Sequence, residues 1–155
     1  MLTTDQKGAV AEAAITLEAM KLGIGVLRPC LDERYDLIFD LRPGFVRVQC
    51  KWASRVGDVI VIRCYRCRRS ADGLLRQFYS PEDVDAFAAY CADDGKCYYV
   101  PYSELGERRT IQLRLTPTRN SQHAGICWAS EYEFAAKLAL PGAVAQLGER
   151  AAGSR

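Results

Sequence analysis

The sequence predicts an α/β (α+β) fold with a mixed central β-sheet flanked by helices. Three observations lead there: one long helical pattern opens the chain, several short period-two segments follow it, and a helical pattern returns near Ser130. The 155 residues suit one compact domain and contain no internal repeat. Residues 1–140 are therefore expected to form that domain, and residues 141–155, rich in small side chains, a poorly ordered tail.

The elements read in order as follows. From Thr4 to Leu22 the pattern is helical, with Val10, Ala13, Ala14, Leu17 and Lys21 near one face. Thr3, Thr4 and Asp5 are candidate N-caps, and Gly23 is a stop. Gly25 to Arg28 reads as a short strand ended by Pro29. Arg34 to Leu41 alternates, with Tyr35, Leu37, Phe39 and Leu41 on one face and Asp36, Ile38 and Asp40 on the other. Arg42-Pro43-Gly44 signals a turn, and Phe45 to Trp52 alternates again. In that strand Val46, Val48, Cys50 and Trp52 face one way and Phe45, Arg47, Gln49 and Lys51 the other, so the pair reads as a β-hairpin with one core face and one polar face. Val59 to Cys64 is a further strand. Cys67 to Ser80 is polar and basic and is expected to be a mobile loop. Val84 to Cys91 and Cys97 to Val100 read as strands joined at Asp94-Gly95, and Ile111 to Leu115 as another. Ser130 is placed as the cap of a final helix running through Leu140, ended by Pro141-Gly142.

Composition narrows the function classes. With 49% hydrophobic and 26% charged residues the chain is globular rather than disordered. It has no apolar run of bilayer-spanning length and no signal-peptide pattern at its start, so a cytoplasmic protein without a membrane partner is expected. Seven cysteines make an odd count for a disulfide framework, and reduced thiols are the default reading. Cys64-Tyr65-Arg66-Cys67 with Cys91 and Cys97 supplies four thiols, the number a structural zinc site takes. The CxxC falls on or just after a strand, however, and the second pair is loosely spaced, so buried or unengaged thiols are preferred over zinc.

The net charge of +2 does not mark a nucleic-acid binder, but the distribution says more. Arg63, Arg66, Arg68, Arg69 and Arg76 are opposed locally only by Asp72, and such a run can bind phosphate in a near-neutral chain. A solvated charged surface is the alternative. The segment Arg119, Asn120, Gln122 and His123 suits contact with DNA or a plain surface loop.

Four residues carry the chemical signal. Glu12 lies among small apolar residues, so it is either exposed or paired with a cation such as a metal. Asp36 sits in a strand pattern, where aspartate is depleted. Gln49 and Lys51 are two apart and share a face of the next strand. A hairpin brings Asp36 and Gln49 together with Lys51 beside them. A carboxylate, an amide oxygen and the Cys50 backbone carbonyl are donors that suit Mg²⁺, and Lys51 would orient a water and stabilise charge on a phosphate.

Glutamate on the first helix, aspartate on one strand and Gln-x-Lys on the next resemble the PD-(D/E)XK nuclease superfamily, and more narrowly the intron-encoded PD-(D/E)XK homing endonucleases of bacteria. The resemblance runs from Lys7-Gly8 and Glu12 through Arg34-Tyr35-Asp36-Leu37 and Val48-Gln49-Cys50-Lys51. It continues at Asp85 to Cys91, Tyr98-Tyr99-Val100-Pro101 and Asn120-Ser121-Gln122, and ends near Trp128 to Glu133. It implies a restriction-endonuclease-like core and hydrolysis of duplex DNA to a 5′-phosphate and a 3′-hydroxyl. It further implies Mg²⁺, with Mn²⁺ able to substitute, held by Asp36, Gln49, the Cys50 carbonyl and Glu12, with Lys51 as catalytic lysine. Gln49 departs from the acidic residue of most of the superfamily and weakens the case for a second metal. The arginine run with Arg119, Asn120 and Gln122 would contact DNA, and cutting two strands implies a homodimer or tetramer. A nuclease resembling archaeal Holliday-junction resolvases and a non-catalytic DNA-binding module are the alternatives. Val144 to Arg150 reads either as a translated piece of a tRNA gene or as a helix fragment.

Overall fold

A computed structural model describes residues 1–139. The expected tail and the end of the expected last helix lie outside the described residues. The chain runs α1 (Thr4–Lys21), β1 (Gly25–Leu27), β2 (Leu37–Asp40), β3 (Phe45–Val56), β4 (Val59–Arg63), β5 (Tyr65–Ser70) and β6 (Gly73–Phe78). It continues through β7 (Ala86–Cys91), β8 (Lys96–Pro101), α2 (Tyr102–Leu105), β9 (Thr110–Arg114), β10 (Cys127–Trp128), α3 (Ala129–Tyr132) and α4 (Phe134–Leu138). Eight of the strands form one mixed sheet, and β5 and β6 form a separate two-stranded one. The expected fold class is observed.

β3 organises the sheet. Its first residues pair antiparallel with β2, placing Leu37 opposite Val48. Its middle pairs parallel with β7, setting Gln49 beside Phe87 and Lys51 beside Ala89. Its last residues turn to β4, with Ser54 opposite Val61. β7 is an apolar run, Ala86-Phe87-Ala88-Ala89-Tyr90-Cys91, as a strand covered on both faces requires. On one side of the sheet Ala11, Ile15 and Ala19 of α1 pack with Leu37, Phe39, Val48, Ala88, Tyr99 and Phe134. On the other, β4 and β9 fold over it, so that Ile60, Ile62, Ile111 and Leu113 close on Phe87, Ala89, Tyr98 and Val100. Asp85 locks the entry to β7: its carboxylate accepts from the Arg47 backbone N–H at 2.7 Å and from the guanidinium at 3.0 and 3.1 Å.

α1 starts at a capping box. Thr3 Oγ1 accepts from the Gln6 N–H and Gln6 Oε1 accepts from the Thr3 N–H, so Thr3 is the cap, and Thr4 and Asp5 fall inside the helix. Gly23, at φ 76°, ends it. The buried face corrects the expectation. Ala11, Ile15 and Ala19 face the core, while Val10 and Leu17 are 38% and 52% exposed. The helix is apolar on two sides, and the side with smaller residues allows the closer approach to the sheet.

Other boundaries differ for physical reasons. Asp36 lies just before β2, yet its N–H donates to the Val48 carbonyl at 3.0 Å, so the ladder continues through it. The expected loop over Cys67 to Ser80 is instead the β5–β6 hairpin, in register from Tyr65 opposite Phe78 to Ser70 opposite Gly73. All of β6 is exposed, so neither face carries the apolar alternation that marks a strand in sequence. The expected final helix is two short ones. Glu133 adopts extended backbone between them and bridges to Tyr98, and α3 begins at Ala129 rather than behind a Ser130 cap. The two-residue β10, paired parallel with β9, and the single turn α2 are too short to read from periodicity. Among the described residues no helix is long and apolar enough to cross a membrane.

Candidate active site

The hairpin of β2 and β3 brings Asp36, Gln49 and Lys51 to one cleft of about 180 Å³, lined also by Asp32, Glu33, Arg34, Arg66 and Tyr79. Register explains the convergence. Continuing the ladder one step from Leu37 and Val48 sets Asp36 opposite Gln49, and Lys51 follows two residues on, on the same face. The backbone N–H of Cys50 donates to Asp36 Oδ2 at 2.9 Å and aims the carboxylate.

The electrostatics are those of charges partly withdrawn from water. Burial raises the Asp36 carboxyl above its ordinary value, while the Cys50 N–H and the Lys51 ammonium pull it back. Burial also lowers Lys51, and the repulsion of Arg66 lowers it further, against the attraction of Asp36. The ammonium is held: Nζ donates to the Tyr65 carbonyl at 2.9 Å and to the Tyr79 hydroxyl at 3.4 Å, and lies 5.0 Å from the centre of the Tyr79 ring. Burial pushes the Tyr79 phenol up to about 12.

Glu12 is not among the residues lining this cleft. Its carboxylate pairs with the Arg28 guanidinium, the two side chains being 30% and 55% exposed. Of the two readings of this acid, the cationic partner holds, and the cation is an arginine. An exposed pair of this kind is worth about 0–1 kcal/mol, so a stronger cation competes with it easily. The Cys50 side chain packs on the α1 side of the sheet, and burial raises its thiol well above the ordinary range.

The donors around Asp36 are all hard oxygen. Among the described residues no three acidic, histidine or cysteine side chains converge on a metal position by themselves. One carboxylate, one amide oxygen and a main-chain carbonyl, completed by water and substrate phosphate, fit Mg²⁺, which binds proteins through few side chains and keeps several waters. The cysteines separate. Cys64 and Cys91 lie in one core cluster, Cys97 in the other, and Cys67 is exposed on the hairpin.

Of the arginines singled out from sequence, Arg66 reaches the cleft itself. A second cleft of about 430 Å³ adjoins it through the shared Asp32 and Arg66 and is lined further by Cys67, Arg68, Arg69 and Gln77. Arg76 lies with its guanidinium 5.1 Å from the Tyr65 ring centre, and Arg63 is exposed at the end of β4. Arg119, Asn120 and Gln122 sit on the exposed loop between β9 and β10, bound within that loop by contacts such as Gln122 N–H to Asn120 Oδ1. They line neither cleft.

Sequence reading missed Arg34 and Tyr79. Arg34 donates to the Phe78 carbonyl at 3.0 Å and stacks its guanidinium 4.9 Å from the Tyr79 ring centre. Tyr79 follows a hairpin without a sequence signal of its own, so nothing in its neighbourhood pointed to the site. Arg34 stands beside Asp36 and is legible only as part of that motif.

A family model described as PD-(D/E)XK endonuclease matches residues 2–135. Among solved structures, the bacterial homing endonuclease I-Ssp6803I is similar, with 29% identity and a TM-score of 0.72 over 94% of this chain and 99% of that one. No curated protein matches. The matched span contains every residue of the cleft, and the mixed sheet that sets Asp36 against Gln49 and Lys51 is shared as a fold; the chain belongs to the PD-(D/E)XK endonuclease family.

Proposed function

We propose that the protein is a Mg²⁺-dependent, site-specific endonuclease of double-stranded DNA, leaving a 5′-phosphate and a 3′-hydroxyl. The observation that carries this reading is the convergence of Asp36, Gln49 and Lys51 in a cleft continuous with the arginine-bearing hairpin. The likeness to a homing endonuclease supports site-specific cutting.

Asp36, Gln49 and the Cys50 carbonyl would hold the ion, and Glu12 would join on leaving Arg28. When bound, a divalent ion supplies positive charge at the phosphoryl oxygens and acidifies nearby water. Lys51 has the two properties the reaction asks of it. As an ammonium it stabilises charge that develops on the phosphate, and its free N–H orients the attacking water. The water oxygen bonds to phosphorus, releasing a proton to solvent, as the bond to the 3′ oxygen breaks. The electron pair leaves on that oxygen, which takes up a proton.

The hairpin supplies the grip. A two-stranded ribbon fits the major groove of B-DNA, where arginines reach phosphates and guanine edges. Arg66, Arg68 and Gln77 share one face, since Arg66 pairs with Gln77 and Arg68 lies two residues on. Cutting both strands calls for a second copy of the site. The outer face of α1 offers a surface for a symmetric partner: Val10, Leu17 and Met20 are exposed at helical spacing with Ala13 between them, and none is charged.

On a duplex library, cleavage is expected with Mg²⁺, none with EDTA, and about a hundredfold or greater loss in Lys51→Ala. Folded wild-type protein that leaves every duplex intact, or a Lys51→Ala variant that cuts normally, would reject the assignment. Replacing Arg68 and Arg69 with alanine should weaken duplex binding and flatten the log–log salt dependence by about 2, roughly one for each phosphate no longer neutralised; an unchanged slope removes the hairpin from the interface. Glutamate at both Leu17 and Met20 should convert the assembly to monomer in sedimentation and turn double-strand cuts into nicks. If the double variant sediments as wild type does, the α1 surface is not the interface.

A further inference from the structure

Lys51 is held by the foot of the β5–β6 hairpin. Its ammonium has three donors. One goes to the carbonyl of Tyr65, the first residue of β5, and one to the hydroxyl of Tyr79, the residue after β6. The third is left for the cleft. Tyr65 and Phe78 form the first rung of the hairpin, so both partners of Lys51 belong to the closure of one loop of chain.

That closure is fixed to the body of the protein. Tyr79 is 7% exposed, with its ring edge-to-face on Phe87 at 5.5 Å. Its carbonyl accepts from the Tyr102 hydroxyl at 2.9 Å. Arg34 stacks on the same ring and donates to the Phe78 carbonyl and to Asp83, while Asp83 accepts from the Ser80 N–H at 2.9 Å. Arg109 lies 3.7 Å from the centre of the Phe78 ring. Beyond its foot, the hairpin pairs with no strand of the main sheet.

We propose that Tyr79, with the Tyr65 main-chain carbonyl, is the positioning device for Lys51, confining an otherwise flexible side chain to the place where it meets the scissile phosphate. The role rests on the nuclease reading above. Its role is positional: Tyr79 acts through the lysine. The hydroxyl directs the ammonium, and the ring supplies a π face that holds the cation without neutralising it. A carboxylate in its place would also hold the cation, but as an ion pair that competes with the phosphate for its charge. The arrangement further makes the element that bears the arginines and the element that seats the lysine one structure.

The test uses two variants. Tyr79→Phe removes only the hydroxyl, and Tyr79→Leu removes the ring as well. Cleavage kinetics are measured together with duplex affinity, melting temperature and the ¹⁵N-detected side-chain ammonium signal of Lys51, which persists when hydrogen bonds slow proton exchange. Expected are a fall in kcat of about tenfold for Tyr79→Phe and about a hundredfold for Tyr79→Leu. KM and duplex affinity should stay within about twofold, and the Lys51 signal should weaken in the same order. Wild-type kcat in a folded Tyr79→Phe together with an unchanged Lys51 signal would overturn the proposal, as would a loss confined to KM and duplex affinity. If Tyr79→Leu does not fold, Tyr79→Phe carries the same comparison alone. Wild-type protein that cuts no duplex, but whose Lys51 signal weakens in the variants, would sink the nuclease reading and leave the clamp standing.

Discussion

Two opposite charges held half out of water, Asp36 and Lys51, are the constraint around which the structure is arranged. Burial works against both, raising the acid and lowering the amine. Neither is left unsatisfied. Asp36 takes the Cys50 N–H, and Lys51 takes the Tyr65 carbonyl and the Tyr79 hydroxyl. A site built for stability alone would place apolar side chains here, because charges partly withdrawn from water gain little over them. A polar cluster at the edge of the core is what a binding or catalytic site requires, and the rest of the fold keeps it in register.

That register comes from β3. It pairs with three partners in succession, and each fixes one part of the site. β2 brings Asp36 across from Gln49. β7, apolar on both faces, anchors the stretch that carries Gln49 and Lys51. The turn to β4 sends the chain back toward the cleft, so that β5 begins at Tyr65 within reach of Lys51. A one-residue slip of β3 would turn Gln49 and Lys51 toward α1 and Cys50 and Trp52 toward the cleft. The buried packing of Val48 and the Arg47–Asp85 lock oppose such a slip.

Much of this was legible in the sequence where side chains alternate against a core. Leu37 and Phe39, or Val46 and Val48, announce their strands because one face is buried, and the polar residues between them then share the other face. Asp36, Gln49 and Lys51 followed from that logic. The helix misled because α1 is apolar twice over. Val10 and Leu17 are the larger residues, yet the smaller Ala11 and Ala19 with Ile15 take the core. The β5–β6 hairpin was hidden because both its faces meet solvent, so no period-two apolar signal exists. With the hairpin unseen, Tyr79 and the Tyr65 carbonyl had no reason to be drawn toward Lys51. Glu12 shows a different limit. That it is either exposed or paired with a cation was legible, but a sequence says neither which of the two holds nor whether an arginine or a metal is the cation.

The most direct test of the account is thermal melting of wild type and Asp36→Asn across pH, without and with Mg²⁺. Asparagine keeps an oxygen for the Cys50 N–H and loses the charge. A carboxyl raised by folding contributes stability below its ordinary value of 3.8 and loses it as pH rises through the raised one. Without metal, Asp36→Asn should therefore melt above wild type at neutral pH, with the gap closing toward pH 4. Mg²⁺ should raise the wild-type melting temperature and leave the variant where it was. An Asp36→Asn protein that melts lower at neutral pH, together with a wild type indifferent to Mg²⁺, would mean that Asp36 is a structural residue and that the cleft is not a metal-dependent active site.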